Sequence, residues 1–257
     1  ELSLSGMNLL KMKKANLYTL FFYFWLNLLI QPVEALKVEI TQGQVRPDPI
    51  AITYFHNADS SLKLLGENIS NVVSSDLLKS GLFKPLSRDA FIQTEESLAV
   101  QAPRYADWRL INARFLVCGD ITAADTSKIT INFHLYDVIT NQKLLSLSLT
   151  SERLKWRKIA HMIADAIYSR VTNEKGFFNT QIIYVETLGR RGKNVRKRLM
   201  RMDHDGENLQ PLTDGKNLTL MPRYSPDNKM VAYLGYYNNK AHVHIMDLAT
   251  GKESTLG

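Results

Sequence analysis

The sequence predicts an α/β N-terminal domain, a mixed sheet covered by two helices, followed by a truncated β-propeller with fewer than two blades present. Three observations carry that expectation. Apolar residues recur at helical spacing twice, as Leu62, Leu65, Ile69, Val72, Val73 and Leu77, and again as Trp156, Ile159, Ile163, Ile167 and Val171. Between these stripes Ile129, Ile131, Phe133 and Leu135 alternate with polar residues, as do Leu145, Leu147 and Leu149 beyond a turn at residues 140–142. Such a hairpin has one apolar and one wet face. Further on, Met202-Asp203 returns as Met246-Asp247, 44 residues later, with Gly206 matched by Gly251 and Leu212 by Leu256. A propeller blade takes roughly 40–45 residues.

In chain order, Lys11, Lys13 and Lys14 precede an apolar run from Leu17 to Ile30, then Pro32 and Val33-Glu34-Ala35. This is the pattern of a signal peptide over residues 1–35, cut between Ala35 and Leu36, with translation starting at Met7 or Met12. The alternative is an uncleaved anchor, for which a hydrophobic run of 14 residues falls short of the roughly 20 that span a bilayer. Leu36 to Ile40 and residues 50–55 read as strands. Asp59, Ser60 and Ser61 offer a cap to the first long helix, and Gly81 closes it. Residues 84–104 read as loop, and a short helix over 106–113 leads into a buried strand at Phe115. The α/β domain is expected over 36–174 and the propeller segment over 175–257. There the strands are 181–187, 197–202 and 209–212, with a tight turn at Asp203-His204-Asp205-Gly206 and another around Ser225-Pro226-Asp227. A propeller closes with 4–8 blades, so the chain reads as a fragment of a longer one.

With 45% hydrophobic and 22% charged residues the chain falls in the globular class. The one cysteine, Cys118, follows Phe115-Leu116-Val117, which excludes an intramolecular disulfide and a multi-cysteine zinc site and reads as a buried small hydrophobe. There is no nucleophile elbow and no phosphate-binding glycine loop, and the paired carboxylates Glu95-Glu96 fall in the expected loop. No catalytic residue and no cofactor are therefore expected. His134 and His161 read as lone surface histidines. His242 and His244 share a strand face without a third ligand, and Asp203-x-Asp205-Gly206 lacks the remaining ligands of a calcium loop, so no metal is expected.

Several segments together resemble one family. They are Gly176-Phe177-Phe178-Asn179-Thr180-Gln181-Ile182-Ile183-Tyr184-Val185, the turn from Met202 to Asn208, Leu212-Thr213-Asp214-Gly215, and Pro222-Arg223-Tyr224-Ser225-Pro226-Asp227. With the leader and the α/β domain, this order is similar to the TolB family of the Tol-Pal system, over residues 36–257. The resemblance implies an N-terminal α/β domain joined to a six-bladed propeller, without catalytic activity, in the periplasm after Sec-type export. It implies binding of a TolA-like inner-membrane protein at the mature N-terminus and of a Pal-like peptidoglycan-associated lipoprotein at the propeller. It further implies support of outer-membrane integrity and of invagination during cell division. Neither nucleic acid nor a small-molecule substrate is expected. The alternative is the propeller-bearing front of a secreted serine peptidase, since such enzymes also use Ser-Pro-Asp blade turns.

Two candidate sites follow. The family's contact segment maps onto Leu36, Lys37, Val38, Glu39, Ile40, Thr41, Gln42, Gly43, Gln44 and Val45, whose alternation suits strand addition to a partner's sheet, or equally an edge strand of its own domain. The run Arg190, Arg191, Lys193, Arg196, Lys197, Arg198 and Arg201 contains no acid and can meet an anionic surface, the alternative being a solvated hairpin tip. N-terminal sequencing of the secreted protein is expected to start at Leu36; another first residue would move the cleavage site.

Overall fold

The structure is a computed structural model and describes residues 46–256 except 191, 192, 238 and 239; of 190, 193 and 194 the backbone alone is described. The leader and the Leu36–Val45 segment lie outside the described residues. A five-stranded mixed sheet begins the described chain, formed by β1 (Asp48–Ile52), β2 (Phe83–Pro85), β3 (Phe115–Ala123), β4 (Lys128–Asp137) and β5 (Gln142–Glu152), in the order β2-β1-β3-β4-β5. β1 runs parallel to both neighbours, and β3, β4 and β5 form an antiparallel meander.

Two long helices, α1 (Lys63–Lys79) and α4 (Trp156–Thr172), cover one face of that sheet, as the two apolar stripes require. Ile69, Val73 and Leu77 meet Ile159, Ile163 and Ile167 over Ile52, Phe133 and Leu135, all buried. Gly81 follows α1 at φ +73°, in the left-handed region that favours glycine. On the other face of β4 the residues are polar where water reaches them. The Thr130 and Thr150 hydroxyls lie 2.8 Å apart, and Asn132 donates to Asp120.

The expected loop at 84–104 is more structured than its sequence suggests. It holds the end of β2 and a short helix, α2 (Glu95–Val100), so Glu95 and Glu96 occupy a first helical turn, where carboxylates are favoured by the helix dipole. α2 buries no residue and is capped by the Thr94 side chain, so it carries no apolar stripe to read. The next helix, α3 (Tyr105–Leu110), is shorter than expected. Its Trp108 seals the far side of the sheet against Leu116, Cys118, Tyr136 and Val138, so both faces are covered at that end. Cys118 is buried as expected, and burial pushes its thiol up to about 12.

The remaining chain is all β. β6 (Gln181–Arg190), β7 (Lys193–Asp203) and β8 (Gln210–Pro211) form a three-stranded sheet. β9 (Leu218–Tyr224), β10 (Met230–Tyr237), β11 (Lys240–Asp247) and β12 (Glu253–Leu256) form a four-stranded one in sequential order. Buried Leu199 meets Val231, Tyr233 and Met246 between the sheets, like neighbouring blades. The repeat seen in sequence has a common cause. Asp203 and Asp247 each end a strand, and their carbonyls accept from Gly206 and Gly251 at φ +95° and +72°. The β6–β7 ladder runs further than expected, to an Arg190–Lys193 pair, so of the basic residues Arg190, Lys193, Arg196, Lys197, Arg198 and Arg201 lie in strands. β8 is shorter than expected: past Pro211 the Leu212 N–H still reaches the Leu199 carbonyl, but the Leu199 N–H turns to the Thr213 hydroxyl and the ladder ends. Among the described residues no helix is long and apolar enough to cross a membrane.

Phe133 lies in the sheet centre, fully buried under α1 and α4. Phe133→Ala is expected to lower stability by roughly 3–5 kcal/mol, read from urea unfolding.

Candidate functional site

Beside its apolar stripe, α4 carries a polar row at every fourth residue: Arg157, His161, Asp165 and Ser169. Three of them, Arg157, Asp165 and Ser169, take hold of the chain that follows. Ser169 Oγ accepts the Gly176 N–H at 3.0 Å. The Asp165 carboxylate accepts the N–H groups of Phe178 at 2.7 Å and Asn179 at 3.2 Å. A Cβ on residue 176 would stand 2.4 Å from Asp165 Oδ1 and 2.6 Å from its Cα, so only glycine lets the backbone pass this close. The fixed turn drives Phe178 into the helix-covered core, with the rings of Tyr168 and Phe177 against it.

Further along the row, Arg157 reaches the β7–β8 turn and binds Asp205 Oδ2 through Nε at 2.8 Å and a terminal guanidinium nitrogen at 2.7 Å. Desolvation raises the Asp205 carboxyl, but the hydrogen bonds from Arg157 and the Glu207 N–H outweigh it and leave its pKa below the ordinary value. The pair is anchored on both sides, because the Asp203 carboxylate beside it accepts from Gln181 and Asn208.

At the centre sits His161, with only 2% of its surface exposed. Its Nδ1 lies 2.6 Å from Asp76 Oδ2 on α1, and Asp76 is wholly buried. The His204 ring from the β7–β8 turn stands edge-on to His161, with centroids 4.7 Å apart. His204 Nε2 is 3.2 Å from Asp76 Oδ1, and His161 Nε2 is 3.6 Å from Asp205 Oδ2. Asp76 Oδ1, His161 Nε2 and both His204 nitrogens are buried without a hydrogen-bond partner. Burial holds the His204 imidazole below its ordinary pKa despite the pull of Asp76. An open cleft of about 990 Å³ adjoins this cluster, lined by Lys158, His161, Gln181, Arg201, Asp203 and Tyr224 among others.

The expectation of a lone surface histidine is thus overturned at position 161: the helix turns that ring inward against a buried carboxylate. His134 does sit on the outer face of β4, beside the Ser146 hydroxyl. His244 stacks on Tyr233 and meets Thr255, while His242 lies two residues along the same strand. The Asp203–Gly206 segment is a turn as expected, but its side chains point into the junction. Of the basic run, Arg196 is exposed, Arg198 is paired with Glu186 at 2.5 Å and Arg201 with Gln210. By strand alternation Arg196 and Arg198 share one face and Lys197 and Arg201 the other. The side chains of Arg190 and Lys193, and all of Arg191, lie outside the described residues. The Asp76–His161–His204 grouping was missed, although an aspartate between Val73 and Leu77 on an apolar helix face was its signal.

Comparison with known proteins runs through both parts of the chain. Residues 36–144 match the TolB amino-terminal domain, and residues 168–257 match the TolB beta propeller domain. The Tol-Pal system protein TolB of Paramagnetospirillum magneticum is 43% identical over 89% of this chain and 51% of its own length. That of Pelagibacter ubique is 40% identical over 91% of this chain and 55% of its own. The chain thus spans about half the length of these curated relatives. The crystal structure of TolB from Acinetobacter baumannii superposes with a TM-score of 0.69 at 25% identity, covering 81% of this chain and 49% of that one.

A double-mutant cycle on Arg157→Ala and Asp205→Ala, followed by urea unfolding, is expected to give a coupling energy of about 1–3 kcal/mol. The Asp205 carboxylate is only 4% exposed, so salt is expected to screen the coupling little.

Proposed function

The chain belongs to the TolB family, and from that premise we propose that it works as a non-enzymatic periplasmic adaptor of the Tol-Pal system. In this reading residues 1–35 direct export and are removed, residues 36–174 form the TolB-like N-terminal domain, and residues 175–257 begin the propeller. The mature N-terminus, Leu36 to Val45, recruits a TolA-like inner-membrane protein by adding a strand to its sheet. The propeller portion contributes to binding a Pal-like peptidoglycan-associated lipoprotein. Linking the two supports outer-membrane integrity and the invagination of that membrane at division. The basic β6–β7 hairpin is a subsidiary contact for an anionic envelope surface, and exposed Arg196 is its best-placed member.

The observation that carries this reading is identity of 40–43% to Tol-Pal system TolB proteins over about nine-tenths of the chain. The junction along α4 supports it from a different direction. An adaptor has to hold two binding regions in a fixed relation, and Arg157, Asp165 and Ser169 tie the helical layer to the start of the β layer by side-chain contacts.

The test is a pull-down from an envelope extract with the full-length chain and a version lacking residues 36–45. The full-length chain is expected to capture the inner-membrane component and the shortened one to lose it. Equal capture by both would remove the N-terminal segment from the proposal.

A further inference from the structure

We propose that Asp76, His161 and His204 form a binding site for one divalent transition-metal cation of the zinc class. One ligand atom from each of these residues lies within 4.8 Å of the other two. Imidazole nitrogen and carboxylate oxygen are donors that zinc accepts in three-ligand sites. Asp76 Oδ1 and His204 Nε2 stand 3.2 Å apart, yet Oδ1 has no hydrogen-bond partner. Two ligands each about 2.0–2.1 Å from a tetrahedral zinc ion stand roughly 3.3 Å from one another, so that separation suits a shared ion.

The other oxygen of Asp76 strengthens the case. Oδ2 lies 2.6 Å from His161 Nδ1, so that nitrogen faces the same carboxylate as His204 Nε2 and would be the ligand atom of His161, giving up its proton to the ion. Metal-bound histidines are commonly fixed by a carboxylate at the other ring nitrogen, and Asp205 Oδ2 stands 3.6 Å from His161 Nε2. His161 Nε2 is itself buried and unpartnered, on a ring 2% exposed, and His161 lines the open cleft, which supplies an entry path and room for a water as fourth ligand. The ion would join α1, α4 and the β7–β8 turn at one point, adding a third tie to those made by Arg157 and Asp165.

The test titrates the metal-free chain with Zn²⁺ against a chromogenic chelator, and with Co²⁺ by visible absorption. The expected result is one equivalent of Zn²⁺ and a cobalt spectrum of nitrogen and oxygen ligands without a thiolate band. His204→Gln is expected to weaken binding by at least about tenfold and to remove the rise in Tm on adding Zn²⁺. His204 sits on a turn, and circular dichroism checks that this variant folds. Asp76→Asn is the second variant should it not. His134→Gln, which changes a histidine outside the cluster, is expected to bind as the parent does. Absence of a bound equivalent, equal affinity in the folded His204→Gln chain, or loss confined to His134→Gln would overturn the proposal.

Discussion

One helix has to satisfy two neighbours at once, and the rest of the structure follows from how α4 does so. Its apolar stripe is committed to the sheet, where Ile159, Ile163 and Ile167 are fully covered. That leaves one flank, and Arg157, His161, Asp165 and Ser169 occupy it at a spacing of four. Because a turn of helix is 3.6 residues, the row drifts slowly around the axis and stays on one side for its whole length. The chain leaving α4 therefore doubles back along its own helix and reaches the first β-hairpin already positioned. Backbone N–H groups shielded from water need partners, and the Phe178 amide finds its own on the Asp165 carboxylate, which also accepts that of exposed Asn179.

The electrostatics of the junction follow from the same packing. Asp76 and Asp205 are both nearly inaccessible, and a buried carboxylate is costly unless a cation or several donors face it. Asp205 meets Arg157, whose planar fork fits it through two nitrogens. Among the described residues Asp76 is met by imidazoles, His161 at one oxygen and His204 near the other. Arginine keeps its charge at any physiological pH and imidazole does not. The two carboxylates thus have unlike partners although one helix carries a residue against each.

Regular elements with a strong period were legible in the sequence, and those without one were not. α1 and α4 announced themselves because their stripes are buried by a sheet. α2 did not, because none of its residues is buried and its only signal is a threonine cap. The hairpin β4–β5 was clear from alternation, whereas β2 has three residues and no room to show a period. The repeat located the β layer through turn residues, Asp203 and Gly206 against Asp247 and Gly251, which recur because each strand end needs the same backbone reversal. The junction itself was harder. Its members come from positions 76, 157, 161 and 203–205, and their meeting is set by the way helices lie side by side on a sheet, which no local pattern encodes. Asp76, inside an apolar stripe, was a residue whose type contradicted its surroundings.

The close passage of Gly176 against Asp165 has a mechanical consequence. A flexible tether lets force extend the chain one bond at a time, so its attachments fail in sequence. Here the segment after α4 is fastened at Ser169, Asp165 and, through the β7–β8 turn, Arg157, all on one rigid rod. Tension between the α/β layer and the β-sheets would load these fastenings together, in shear, and the joint would resist like a seam and not like a hinge.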